Sequence, residues 1–248
     1  MRYFFGFAFV IPLVACGGQV QKSHTPASVP SQVSSAPKDP SLVAPMSNVA
    51  AKPAIVQIGD PVLRARAKDV GKEEIATPEF QALIARMIDA MKRAPGVGLA
   101  APQIGVSKRV FVMEDPEEFV SKLSQLERTE RERIAVPLRV FVNPVLKPVG
   151  NDRATFFEGC LSVSGFVGLV ERAREVDISG LDEHGAEATW RVRGWPARIL
   201  QHETDHLDGT IYVDRMITRS FATADQAKAL YAGKPIAEIQ EKLGLTRR

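Results

Sequence analysis

Apolar residues from Thr77 onward fall at helical spacing. Phe80, Leu83, Ile84, Met87, Ile88 and Met91 share one face of a helix. Thr77-Pro78 supplies a capping hydroxyl and a first-turn proline, and Pro95-Gly96 stops the pattern. A shorter helix is predicted over 196–207. Gly194-Trp195-Pro196 breaks the pattern before it, and Gly209 follows at the position of a left-handed cap. Stretches 109–113, 139–142, 154–157, 175–179 and 188–192 alternate or run apolar in the manner of strands. The strands follow one another instead of alternating with helices. That order predicts an α+β fold with antiparallel sheets. A last helical stretch over 224–243, interrupted by Gly233-Lys234-Pro235, reads as peripheral.

The N-terminus has a different pattern. After Arg2, residues 3–14 are nearly all apolar, too short to span a bilayer but suited to a signal peptide. The run ends Leu13-Val14-Ala15-Cys16, a lipobox pattern in which Cys16 becomes the lipid-bearing first residue. Residues 17–52 are rich in Ser, Pro, Ala, Val and Gln and poor in aromatics, as a disordered linker is. The expected organisation is a lipoprotein-type signal at 1–16, a linker at 17–52 and a catalytic domain at 53–248. Two starts are open. The full-length product would be a membrane-anchored lipoprotein. A start at Met46 would give a cytoplasmic protein. The coherence of lipobox and linker favours export.

With 248 residues and 45% apolar content, the chain can bury one sizeable core. A net charge of +3 is too small to argue for a nucleic-acid partner. Of the two cysteines, one belongs to the signal segment, which leaves Cys160 without an intrachain disulfide partner.

Chemistry concentrates in the second helix, which carries His202-Glu203-Thr204-Asp205-His206. Residues i and i+4 of a helix lie on one face, so both imidazoles can reach one metal ion and Glu203 can reach a water on it. The alternative is an amphipathic helix holding two histidines by chance. A catalytic site of this type uses three protein ligands. Tyr212 stands where one metalloprotease class has its third histidine. His24, in the linker, and His184, in a turn, read as surface residues. Cys160 is then the strongest candidate, although a buried free cysteine is also an ordinary small apolar residue.

Three motifs occur in order: Gly96-Val97-Gly98-Leu99-Ala100-Ala101-Pro102-Gln103, Glu158-Gly159-Cys160-Leu161-Ser162, and Gln201-His202-Glu203-Thr204-Asp205-His206. In these the chain resembles the peptide deformylase family, from about Ile55 to about Phe221. Pro137 to Pro144 and Gly194-Trp195 resemble its organellar subgroup. The charged, helix-like stretch 117–133 is longer than compact bacterial members carry there. The resemblance implies antiparallel sheets around a central metal-binding helix, and a hydrolase that frees formate from N-formyl-methionyl peptides or nascent polypeptides. It implies Cys160, His202 and His206 as ligands of one divalent ion. That ion would be Fe(II), with Zn(II) or Ni(II) as substitutes. Glu203 is implied as the base, Gln103 and the Leu161 N–H as oxyanion donors, and the Gly98 backbone as a substrate contact. It also implies an Arg172–Asp205 pair. Phe156, Trp195 and Ile199 are candidates for an apolar methionine pocket, and the protein is expected to be a monomer.

Overall fold

The computed structural model describes residues 54–245. The signal-type segment with Cys16, the linker with His24, and Met46 lie outside the described residues. Numbered in chain order, the helices are α1 (Lys72–Ile75), α2 (Pro78–Arg93), α3 (Glu117–Val120), α4 (Gln125–Arg131), α5 (Trp195–Leu207), α6 (Tyr212–Arg215), α7 (Ala224–Tyr231) and α8 (Ile236–Lys242). A five-stranded sheet has the order β1 (Gly98–Ala100), β2 (Val110–Asp115), β3 (Val136–Pro148), β6 (Glu175–Leu181), β7 (Glu187–Arg193). A three-stranded sheet has the order β4 (Arg153–Cys160), β5 (Val163–Ala173), β8 (Ala222–Thr223). Every strand pairing within the two sheets is antiparallel, as the α+β expectation required.

The predicted helix at Thr77 forms as α2. The Thr77 hydroxyl accepts from Phe80 N–H at 3.3 Å, which satisfies one of the otherwise orphaned first-turn donors. Its apolar face buries Phe80, Leu83, Ile84, Met87 and Met91 against Leu99, Val110, Val112 and Val140 of the larger sheet. Full burial of one such side chain contributes about 1.5–3 kcal/mol.

All five predicted strands form, but two features of the sheets differ from expectation. β3 continues past Asn143-Pro144, with a register shift between Val142 and Val145. Asn143 takes a left-handed φ of 50° at that shift, which asparagine tolerates better than most residues. Its side-chain amide donates to Val70 O at 2.8 Å and its carbonyl accepts from Val70 N–H at 2.9 Å, so the bulge is held. β5, like the short β1 and β8, lies outside the five predicted stretches. Its glycines hide a strand in which Gly168 makes room for Met216: a Cβ there would lie 2.8 Å from the Met216 sulfur.

Helix α5 runs through the centre. Eleven of its residues, from Trp195 to Leu207, are buried. Ala197, Ile199, Leu200 and Leu207 pack with Phe111, Phe141, Val176 and Ile178 of the larger sheet. Gly209, just beyond its end, has φ 75°, and a Cβ there would meet the Arg64 carbonyl oxygen at 2.6 Å. The C-terminal helices are less peripheral than expected. Ala227 and Ile239 are buried against Phe157, Val167 and Leu169 of the smaller sheet. Among the described residues, no helix is long and apolar enough to cross a membrane.

Candidate active site

α5 meets the end of β4 where the sequence placed its chemistry. His202 and His206, one helical turn apart, have ring centroids 5.1 Å apart. Cys160, the last residue of β4, brings its Sγ to 3.2 Å from His206 Nε2. One ligand atom each from Cys160, His202 and His206 lies within 4.8 Å of the other two, and all three residues are buried. Nitrogen and sulfur donors at bond lengths of about 2.0–2.3 Å on one tetrahedral ion stand about 3.3–3.8 Å apart. The 3.2 Å between Cys160 Sγ and His206 Nε2 is close to that spacing, and thiolate and imidazole donors suit a transition metal.

The remaining imidazole nitrogen of His202 is fixed. Its Nδ1 lies 3.0 Å from Glu158 Oε2, which leaves Nε2 for a metal. Glu158 is the functional residue that sequence reasoning missed. Its place in the Glu158–Ser162 motif does not show which distant side chain it faces. Arg172 clasps it through Nε and Nη2, both at 2.9 Å, and Arg198 adds a contact at 2.6 Å. Burial acts to raise the Glu158 carboxyl, but Arg172, His202 and Arg198 together hold it well below the usual carboxylate range. The expected Arg172–Asp205 pair forms, and Asp205 also takes both nitrogens of the Arg215 fork at 2.7 Å. The two histidines are driven apart. At His202 burial favours the neutral ring, yet Cys160 and Glu158 raise its pKa well above the ordinary value. At His206 burial and the neighbouring His202 lower it, favouring the neutral form that binds metals.

Glu203 projects from the same helix. It is buried, and its Oε2 has no hydrogen-bond partner among the described residues. Burial pushes its carboxyl up to about 7, with His202 opposing and Glu158 adding to the rise. Gly98 of β1 lies directly against it: a Cβ on Gly98 would sit 2.3 Å from Glu203 Oε1. The smaller residue is required by the carboxylate itself, beyond any substrate contact.

Gln103 sits in a short 3-10 turn (Ala101–Ile104) that follows β1. Its Oε1 accepts from Ala100 N–H at 2.8 Å, which turns its amide nitrogen toward Cys160 Sγ at 3.5 Å and Ser162 Oγ at 3.4 Å. Leu161 lies in the tight turn between β4 and β5, against Gly96, where a Cβ would be 2.9 Å from Leu161 Cδ1.

Trp195 and Ile199 line a cavity together with Val97, Glu158, Arg198, His202 and Glu203. The third pocket candidate does not reach it. Phe156 stands behind Trp195, edge-on at 6.3 Å between ring centroids. Its β4 position turns it into the core, where it packs among buried apolar residues. Tyr212 is buried and stacks on His202 at 6.4 Å, with its hydroxyl donating to Phe166 O at 3.0 Å. It packs beside the ligand cluster without joining it. His184 is exposed on its turn, as expected.

The family model for polypeptide deformylase matches residues 52–221. The chain belongs to the peptide deformylase family. It is 50% identical over 192 residues to peptide deformylase 1A, chloroplastic/mitochondrial, of Arabidopsis thaliana, covering 77% of this chain and 70% of the relative. It is 44% identical over 167 residues to the mitochondrial peptide deformylase of Homo sapiens, covering 67% and 69%. A Met-Ala-Ser-bound class I type b peptide deformylase from Acinetobacter baumannii shares the fold at a TM-score of 0.58 and 32% identity, covering 66% of this chain and 97% of that one. As a peptide deformylase, the chain is a metal-dependent hydrolase that removes the N-formyl group from nascent peptides.

Proposed function

We propose that Cys160, His202 and His206 hold one divalent ion, Fe(II), and that Glu203 is the base of the deformylation. The observation that carries this reading is the buried Glu203 carboxylate, its Oε2 without a hydrogen-bond partner among the described residues, on the same helix as two members of a three-donor cluster. A bound divalent cation supplies Lewis acidity and lowers the pKa of water toward neutrality. Glu203, pushed up to about 7, can accept a proton and return it to the leaving amine near neutral pH. The Gln103 amide, aimed by its bond from Ala100, donates to the oxygen of the formyl group as charge develops there, joined by the Leu161 N–H. β1 is an edge strand, so Gly98 has backbone groups to offer a peptide lying alongside it. Trp195, Ile199 and Val97 shape an apolar recess for the methionine side chain. Glu158, held by Arg172 and Arg198, orients His202. Formate release from formyl-Met-Ala-Ser by Fe(II)-loaded protein tests the assignment, with Glu203→Ala expected to keep metal and lose turnover.

We further propose that residues 1–16 are a lipoprotein signal, that Cys16 carries lipid, and that residues 17–52 tether a catalytic domain at 53–248 outside the cytoplasm. The lipobox and linker composition support this reading. The chain enters the catalytic domain beside the site, with Val56 N–H donating to Gln103 O at 2.8 Å and Ile58 N–H to Ser162 O at 2.7 Å. Mass spectrometry of native membranes should find diacylglycerol on Cys16. A mature N-terminus at Met46 or Ser47 would instead place the protein in the cytoplasm.

A further inference from the structure

Trp195 separates two cavities. On one side it faces Val97, Ile199, His202 and Glu203. Behind it lies a second small void lined by Arg131, Phe156, Arg174, Gly194 and Arg198. Phe156, edge-on at 6.3 Å between ring centroids, and the Arg198 guanidinium, 5.8 Å from the ring centroid, cover part of that back face. Among the described residues the indole N–H has no hydrogen-bond partner, so no hydrogen bond fixes the ring.

The rest of the support comes from the long segment between β2 and β3. The Arg131 guanidinium lies 5.0 Å from the Trp195 ring centroid and that of Arg133 lies at 5.5 Å. Both distances are within cation–π range, and such contacts strengthen when desolvated. Arg133 is itself locked, with Nε and Nη2 each 2.7 Å from the two oxygens of buried Asp115. The backbone is pinned as well. Glu132 adopts a left-handed φ of 48°, and its carboxylate takes Arg174 and Arg193 at 2.7 Å. It also presses on the start of α5: a Cβ on Gly194 would lie 2.5 Å from Glu132 Cβ. Three consecutive residues of the segment thus converge on one indole and the residue before it.

We infer that Arg131, stacked on the back of Trp195, is a positioning residue that sets the depth of the recess for the N-terminal side chain and so its selectivity for methionine. The inference rests on the assignment of that recess as the methionine site. Loss of the guanidinium, which itself lines the small void behind the ring, widens that space and lets the indole shift toward it. The recess deepens and a bulkier side chain is accepted. Lysine cannot substitute, because an ammonium lacks the flat face of a guanidinium.

The test compares wild type, Arg131→Ala and Arg131→Lys, all metal-loaded, on formyl-Met-Ala-Ser and formyl-Phe-Ala-Ser. Both variants are expected to keep kcat on the methionine substrate, raise its KM, and reduce the methionine-over-phenylalanine ratio of kcat/KM about tenfold, equivalent to about 1.4 kcal/mol. In a Trp190→Phe background, where Trp195 is the remaining tryptophan, acrylamide quenching of its fluorescence should rise in both. Folded variants with an unchanged ratio and unchanged quenching would overturn the inference. So would failure of both to fold, since Arg131 would then act on the fold and not on the recess. Wild-type protein inactive on both substrates would count against the deformylase site itself, and the quenching result would still report on the brace.

Discussion

Gly98 leaves open the volume that the Glu203 carboxylate fills, with a built Cβ only 2.3 Å from Oε1. A backbone position on an edge strand thereby controls the place of an acid–base group on a helix. Gly98→Ala should displace the carboxylate and lower kcat on formyl-Met-Ala-Ser by about 10²-fold, within the range attributed to one acid–base group. Metal content should be unchanged, because the three atoms nearest the new methyl group all belong to Glu203 and none to a ligand. Formate release alongside metal analysis checks both halves.

Glu203 should titrate near 7 in the metal-free protein, because burial disfavours its charged form. The carboxyl is protonated below that pH and ionised above it. Its folded-state pKa is raised, so its contribution to stability is fully present below the unfolded value of about 4.5 and is lost as pH rises through about 7. Infrared difference spectra of metal-free protein should show a protonated-carboxyl band fading over that window. The band should be missing in Glu203→Gln.

Replacing Glu158 tests the support of His202. Glu158→Gln removes the charge that Arg172 and Arg198 share while leaving both guanidiniums buried. Metal affinity should fall about 10–100-fold, the usual effect of losing a partner that orients a ligand. Stability should drop by about 3–5 kcal/mol, the cost of breaking a buried ion pair from one side. Competition with a chelator and urea unfolding measure the two effects.

Asp115→Asn should destabilise the fold by a similar amount, about 3–5 kcal/mol, by stranding Arg133. The pair's side chains are fully buried. With the Arg133 guanidinium free to move, fluorescence quenching of Trp195 should increase as well. Urea unfolding and quenching in the Trp190→Phe background read out both.

The periodicity of Phe80 to Met91 and the strand runs were legible because each reports a local face. Residue type and short spacing marked His202, Glu203 and His206 in the same way, whereas the roles of Cys160 and Gln103 were implied by the family resemblance of the motifs. What stayed hidden depends on which distant residue faces which. Glu158 was visible as a letter in its motif, but its bond to His202 across 44 residues was not. Phe156 has the composition of a pocket residue, yet its position on β4 turns it into the core behind Trp195. β5 was masked by glycines whose purpose, room for Met216 at Gly168, appears only in the packed structure. The stretch 117–133 reads in the sequence as charged, helix-like and long, with nothing to show what it packs against. Its last residues bury guanidiniums against the start of the metal-binding helix.

The most direct test is formate release from formyl-Met-Ala-Ser by Fe(II)-loaded wild type and Glu203→Ala, with metal measured in both. The predicted result is rapid release by wild type and a loss of several orders of magnitude in the variant, at one equivalent of metal in each. Equal rates in the two proteins at full occupancy would contradict the assignment of Glu203 as the base.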